Sequence, residues 1–261
     1  MILQLKDIHL SFSNERKERF DLLSGVNVDA RRGKVTALVG GNGAGKTTLF
    51  NVISGFQDDY TGKVIFDGKD ISSWQAYKVS RAGIGRLFQG RQLMAGLSIL
   101  ENMMIASDNH TGEFPFSYLF CPQKVRKEEK LKKEKAEYIL EHLFGKDCKY
   151  LSMLDQDASS LSYGEQRMIA IARLLMSDNK LLLLDEPTAG VNPVYNRTIE
   201  EVIRRMVEED GLTVLLIEHN MHFVRNVADF CAYLDDGVIE KFGLVSEVLD
   251  DKEVRNSYMG L

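Results

Sequence analysis

The chain reads as an α/β fold built on a mostly parallel sheet, and three observations carry that expectation. A buried-strand pattern, "KVTALVG", runs directly into a glycine-rich loop and a helix-like segment, "KTTLFNVISG". The C-terminal half alternates apolar strand patterns with amphipathic helix patterns, the order that gives parallel strands covered on both faces. Residues 1 to about 36 instead alternate apolar and polar positions with period two, as a small antiparallel sheet does.

Taken in order, Leu3 and Leu5, then Ile8, Leu10 and Phe12, then Val26 and Val28 set that two-residue period, and "ARRGK" makes the turn before "KVTALVG". The helix after the loop stops at Gly55, and Asp67-Gly68 in "GKVIFDGKDI" marks a hairpin turn. From about residue 90 to 160 the pattern becomes helical. Ser98 and Glu101 in "LSILENMMIA" have capping-box spacing, and Ala136, Ile139, Leu140 and Leu143 share one helix face. This region is expected to be a mostly helical subdomain inserted into the α/β core. Lys124 to Lys135, dense in Lys and Glu, reads as its solvated face, with a lipid-headgroup or partner contact as the alternative. Beyond it come strand "LLLLD", a helix from Pro193 with Asn192 as N-cap and Ile199, Val202, Ile203 and Met206 on one face, and strand "TVLLIE".

The bulk properties exclude several classes. With 261 residues, 44% hydrophobic and 27% charged, the chain is long enough for one large domain or two modest ones and can bury a sizeable core. A net charge of -5 argues against nucleic acid as a partner spread over the whole surface. Cys121, Cys148 and Cys231 form no CxxC pair, so neither a disulfide framework nor a zinc site is expected, and a reducing, cytosolic setting fits. The N-terminus reads as a strand rather than a signal peptide, and no apolar run approaches the roughly 18 residues that would span a bilayer. A role at a membrane would need the spanning part from another chain.

The glycine-rich segment Gly40 to Thr47 satisfies G-x-x-x-x-G-K-[ST] between a strand and a helix, the context of a phosphate-binding P-loop. Its glycines let successive backbone N–H groups face phosphate, Lys46 can reach the β and γ phosphates, and the Thr47 hydroxyl can ligand Mg²⁺. A dinucleotide site fits worse, because Lys46 stands where G-x-G-x-x-G counted from Gly41 needs its third glycine. "LLLLDEP" places Asp185 and Glu186 at the carboxyl end of a strand. There Asp185 can hold Mg²⁺ and Glu186 can polarise the water that attacks the γ-phosphorus. An acidic pair alone is more often a polar strand end; beside a P-loop the balance reverses. His219, after "TVLLIE", is open between a structural histidine and a γ-phosphate contact. Gln89 reads from pattern alone as a surface amide, and Phe12 as either a strand residue or an adenine-stacking aromatic.

The set "GGNGAGKT", Gln89, "LSYGEQ", "LLLLDEP" and His219, in that order over nearly the whole chain, resembles the ATPase subunits of ABC transporters. The resemblance implies the ABC ATPase fold: a P-loop NTPase parallel sheet with an N-terminal antiparallel β subdomain (residues 1–89 and 161–261 together) and a helical subdomain (90–160). It implies ATP and Mg²⁺ as cofactors, with ATP held by Phe12, Gly40, Gly41, Asn42, Gly43, Ala44, Gly45, Lys46, Thr47 and Thr48. Thr47, Gln89 and Asp185 correspond to the metal site, Glu186 to the catalytic carboxylate and His219 to the switch histidine. Ser162 and Gly164, in the signature segment, would touch the γ-phosphate bound by a second ATPase subunit, identical or not. The family's helical subdomain docks on transmembrane permease subunits, which implies a cytoplasmic location, peripheral on the membrane.

Two departures stand out. The usual signature L-S-G-G-Q is "LSYGE" here, with Tyr163 and Glu165, and Asn192 replaces the aspartate usual after "DEPT". Neither removes a phosphate or metal ligand. Within the family, "LSYGEQ", "AGVNP", "IEHNM" and the tail "VRNSYMGL" are most similar to the ATPase subunits of branched-chain amino acid importers. The lipopolysaccharide-transport ATPase is the near alternative, though it usually has a smaller helical insert. A soluble ABC-type clamp on ribosome or DNA is a further one; against it stand the single P-loop and the absence of sustained heptads.

Overall fold

The computed structural model describes residues 1–13, 19–90, 93–108 and 122–259. Cys121 lies outside them. Along the chain the strands are β1 (Leu3–Ser13), β2 (Arg19–Ala30), β3 (Val35–Val39), β4 (Thr61–Phe66), β5 (Lys69–Asp70), β6 (Ile84–Leu87), β7 (Leu181–Asp185), β8 (Thr213–Ile217), β9 (Phe230–Asp235) and β10 (Val238–Leu244). They form two sheets, one ordered β2-β1-β4-β5 and one ordered β10-β9-β3-β8-β7-β6.

The period-two segments form the first sheet, which is antiparallel throughout. Its inward residues Leu3, Leu5, Ile8 and Leu10 are fully buried, whereas Phe12, one step further along β1, is 49% exposed. Asp67 and Gly68 adopt left-handed φ values of 49° and 77° between β4 and β5, the backbone of a tight hairpin turn. In the second sheet β3, β6, β7, β8 and β9 pair in parallel, and only β10 runs antiparallel. The continuous apolar runs of β3, β7 and β8 are buried at every residue, as strands covered on both faces require. The antiparallel edge hairpin β9–β10 was not expected; its turn carries Asp236 and Gly237 at φ 42° and 76°.

The described residues divide into two units. The first comprises Met1–Phe88, Lys180–Ala189 and Ile203–Leu261, and the second comprises Gln89–Asn179 and Gly190–Val202. In the first, one apolar cluster joins both sheets to the helix Lys46–Ile53 through Leu5, Leu10, Leu49, Phe50, Leu183 and Leu215. The second is helical and reaches past the residues 90–160 expected for the insert. Its helix Ile99–Met104 opens with the expected capping box: Ser98 Oγ accepts from Glu101 N–H, and Glu101 Oε2 accepts from Ser98 N–H at 2.7 Å. The helix Tyr163–Arg173 packs on it. The long helix Pro122–Phe144 buries Ala136, Ile139, Leu140 and Leu143. Its outer face is laced by i,i+4 ion pairs such as Lys130–Glu134 at 3.7 Å, both side chains exposed, which matches a solvated mixed-charge face. Among the described residues no helix is long and apolar enough to cross a membrane.

The helix Pro193–Glu208 shows the amphipathic logic most directly. Asn192 Oδ1 accepts from Val194 N–H at 3.1 Å at its start, and Ile199, Val202, Ile203 and Met206 are buried. Ile203→Ala should therefore cost about 2–5 kcal/mol in chemical denaturation, through lost transfer energy and a cavity. Val194→Ala, at a site 77% exposed in the same helix, should stay within about 0.5 kcal/mol of the parent.

Candidate active site

Sheet order and register build the site. β8 lies between β3 and β7, with Ile217 opposite Leu38 on one side and Asp185 on the other. The carboxyl ends of three adjacent parallel strands thus open at one edge, where α/β sheets bind ligands. β3 delivers the P-loop there, β7 delivers Asp185 and Glu186, and β8 delivers Glu218 and His219.

The loop needs its glycines for steric reasons at two places. A methyl group on Gly40 would stand 2.0 Å from the carbonyl oxygen of Leu234. One on Gly45, whose φ is 101°, would stand 2.8 Å from Leu23 Cδ2 and 3.0 Å from the Leu22 carbonyl oxygen. Gly45 is also the N-cap of the helix Lys46–Ile53, which has no side-chain cap at its start. The first N–H groups of that helix, and its positive dipole end, are therefore left for an anion. Lys46 is buried and folds back over the loop, its ammonium donating to the carbonyls of Gly40 at 2.8 Å and Gly41 at 2.7 Å. Asn42, Gly43 and Thr47 are exposed and Thr48 half-buried, so the rim of the loop is accessible.

Opposite stand the carboxylates. Glu186 takes a left-handed φ of 46°, a conformation disfavoured for a non-glycine residue, and its N–H donates to Ile217 O at 2.9 Å. Its Oε1 is 3.3 Å from Nε2 of His219. Asp185 is buried, with Oδ2 3.6 Å from Nη2 of Arg86. Arg86 was not foreseen from sequence. Its guanidinium donates to Asn51 Oδ1 and Ser54 Oγ and lies 4.4 Å from the centroid of the Phe88 ring. Burial pushes the Lys46 ammonium below its usual range, while the charges of Glu186 and Asp185 pull it back up. Arg86 is lowered by burial in the same way, with Asp185 opposing.

Phe12 pairs with Phe20 across the β1–β2 ladder, and both rings are exposed. Two to three residues further along β2, Leu22 and Leu23 touch Gly45, so the aromatic pair sits roughly 7–10 Å along the strand from the loop.

The second unit holds Gln89, Ser162 and Gly164. Gln89 is exposed. Ser162 caps the helix Tyr163–Arg173 in a full capping box, its N–H donating to Glu165 Oε2 at 2.7 Å and its Oγ accepting from Glu165 N–H at 3.4 Å. The two departures in the signature acquire physical roles. Glu165, beyond closing the box, is ion-paired with Lys149. The Tyr163 ring lies against Gly190 in the "AGVN" loop, and Tyr195 packs so closely on Gly164 that a methyl group there would be 2.8 Å from the ring.

A family model described as "ABC transporter" matches residues 23–189, well over half of the chain. The chain belongs to the ABC transporter family. It is an ATP-binding cassette and an ATPase. It is 32% identical to the high-affinity branched-chain amino acid transport ATP-binding protein BraF of Pseudomonas aeruginosa, over 91% of each chain. It is 37% identical to the "Probable branched-chain amino acid transport ATP-binding protein LivG" of Archaeoglobus fulgidus, over 91% of this chain and 89% of that one. A solved ATP-binding cassette of an ABC transporter in its ADP conformation superposes with a TM-score of 0.79 at 33% identity, covering 100% of this chain and 99% of that one.

The electrostatics of the cassette give a signed prediction. A lysine whose folded pKa is depressed binds its proton less tightly folded than unfolded, so its charge opposes folding at neutral pH. That cost is relieved as pH rises from the depressed value towards the ordinary lysine value of 10.5. Nucleotide-free wild type should therefore gain stability relative to Lys46→Met as pH increases through that window, measured by denaturant unfolding at matched ionic strength.

Proposed function

We propose that this ATPase subunit closes with a second ATPase subunit around two ATP molecules and drives uptake of branched-chain amino acids through separate transmembrane permease subunits. The observation that carries the cargo is the similarity to branched-chain amino acid transport ATP-binding proteins at 32–37% identity along about nine-tenths of both chains. The chemistry is supported by the edge that gathers Lys46, Asp185, Glu186 and His219.

The residues fit ATP with Mg²⁺. An uncapped helix start and a buried ammonium suit a polyphosphate, and a hydroxyl, an amide oxygen and a carboxylate are the hard oxygen donors that Mg²⁺ takes. Thr47, Gln89 and Asp185 would hold the metal, which when bound neutralises charge on the phosphate oxygens. The backbone from Gly40 to Thr48 cradles the phosphates, Lys46 neutralises the β and γ groups, and Phe12 stacks on adenine. Glu186 accepts a proton from the attacking water and orients it, and His219, in contact with Glu186, holds the γ-phosphate. Ser162 and Gly164 complete the site of the other subunit, since the Ser162 hydroxyl can accept from Glu165 N–H and still donate its own proton. The helical insert, residues 90–160, docks on the permeases at the cytoplasmic face of the membrane.

Glu186→Gln tests this reading, because it keeps shape and removes the base. It should retain ATP binding, form a stable ATP-dependent dimer and lose at least about a hundredfold in kcat. Turnover near that of wild type would refute the assignment. Gentle solubilisation with the chain as bait should recover two hydrophobic permease subunits; ribosomes or an exporter complex instead would refute the importer.

A further inference from the structure

Glu218 follows β8 directly and is 2% exposed. Both of its carboxylate oxygens are engaged by backbone or hydroxyl donors. Oε1 accepts from the Thr188 N–H at 2.9 Å and from the Thr188 hydroxyl at 2.6 Å. Oε2 accepts from the N–H of His219 at 3.0 Å and of Asn220 at 3.3 Å. The donors come from two different loops, the one that follows Glu186 and the one that bears His219.

From this bridge we propose that Glu218 is a positioning residue, which sets the 3.3 Å contact between Glu186 and His219. The inference rests on the reading of that pair as the hydrolytic base and switch. A buried carboxylate is costly unless several donors meet it, and four do so here. What the arrangement secures is relative placement. Glu186 sits in a left-handed backbone conformation that its surroundings must enforce, and the loop leaving it is tied through Thr188 to Glu218. Asn220 is held as well, and its side chain caps the next helix by accepting from Phe223 N–H at 3.1 Å. A neutral hydroxyl side chain in place of Glu218 has one oxygen and would serve one loop. An acceptor-only group with two oxygens serves both.

The test uses the full chain and four variants: Glu218→Gln and Thr188→Val, beside Glu186→Gln and His219→Ala. Glu218→Gln keeps the size of the side chain but turns an NH₂ group towards N–H donors, releasing one loop. Its kcat should fall about ten- to a hundredfold, the scale of a catalytic group misplaced by about an ångström, with KM and ATP binding unchanged. Thr188→Val, which removes one donor and leaves the carboxylate, should show a smaller fall of the same kind. A wild-type kcat in Glu218→Gln overturns the proposal, and so does a parallel loss of ATP binding and melting temperature, the mark of a purely structural role. If Glu218→Gln does not fold, Thr188→Val decides, and an unchanged kcat there overturns the proposal. If Glu186→Gln and His219→Ala both turn over normally, the reading of the site has failed and this inference falls with it. If they are inactive while Glu218→Gln turns over as wild type does, the inference alone has failed.

Discussion

A buried ammonium facing two carboxylates across a sheet edge is the constraint on which the rest of the structure depends. Lys46 is far in sequence from the adjacent pair Asp185 and Glu186, and only the strand order β3-β8-β7 brings the strand ends that carry them together. The apolar residues of β3, β7 and β8 position that edge, and the antiparallel sheet packs over it through Leu5, Leu10 and Leu23. Burial opposes the charge on Lys46, and the neighbouring carboxylates only partly offset it. A buried ammonium whose charge its neighbours only partly balance is complementary to a polyanion.

The same edge holds strain and the means to hold it. Glu186 occupies a disfavoured backbone conformation, Arg86 is buried against Asp185, and Glu218 ties the neighbouring loops. Each feature is unfavourable alone, and each is met by a specific partner. In the second unit the signature helix is built differently: its first turn is closed by Ser162 and Glu165, and Tyr163 and Tyr195 pack on glycines. The P-loop helix start is open and the signature helix start is boxed. This difference fits the proposed division of labour, in which one end cradles the phosphate chain and the other contributes a hydroxyl.

Legibility in the sequence followed the range of the interaction. Leu3, Leu5, Ile8 and Leu10 announced β1 because a strand repeats every two residues, and Ile199, Val202, Ile203 and Met206 announced a helix face because one turn takes 3.6. The capping box at Ser98 and the hairpin at Asp67-Gly68 are local too, and both stand in the structure. The P-loop and the acidic strand end were legible because their chemistry needs fixed residue types at short spacing. Pairings across long separations were not: nothing near Arg86 points to Asp185, far along the chain, and Glu218 reads locally as one more polar strand end. Tyr163 stands in the sequence only as a departure from the usual signature, because its packing on Gly190 depends on a loop outside any local pattern. The Asp236-Gly237 pair is a local signal for the β9–β10 edge of the same kind as Asp67-Gly68.

Completion of one ATP site by two subunits, the P-loop edge of one and the signature of the other, can be tested by mixing two inactive variants. One carries Lys46→Ala in the P-loop and the other Ser162→Arg in the signature. Neither variant should hydrolyse ATP alone, and the mixture should recover activity, since a mixed pair has one site with both halves intact. A mixture as inactive as its components, with mixed dimers shown to form, would contradict the shared site.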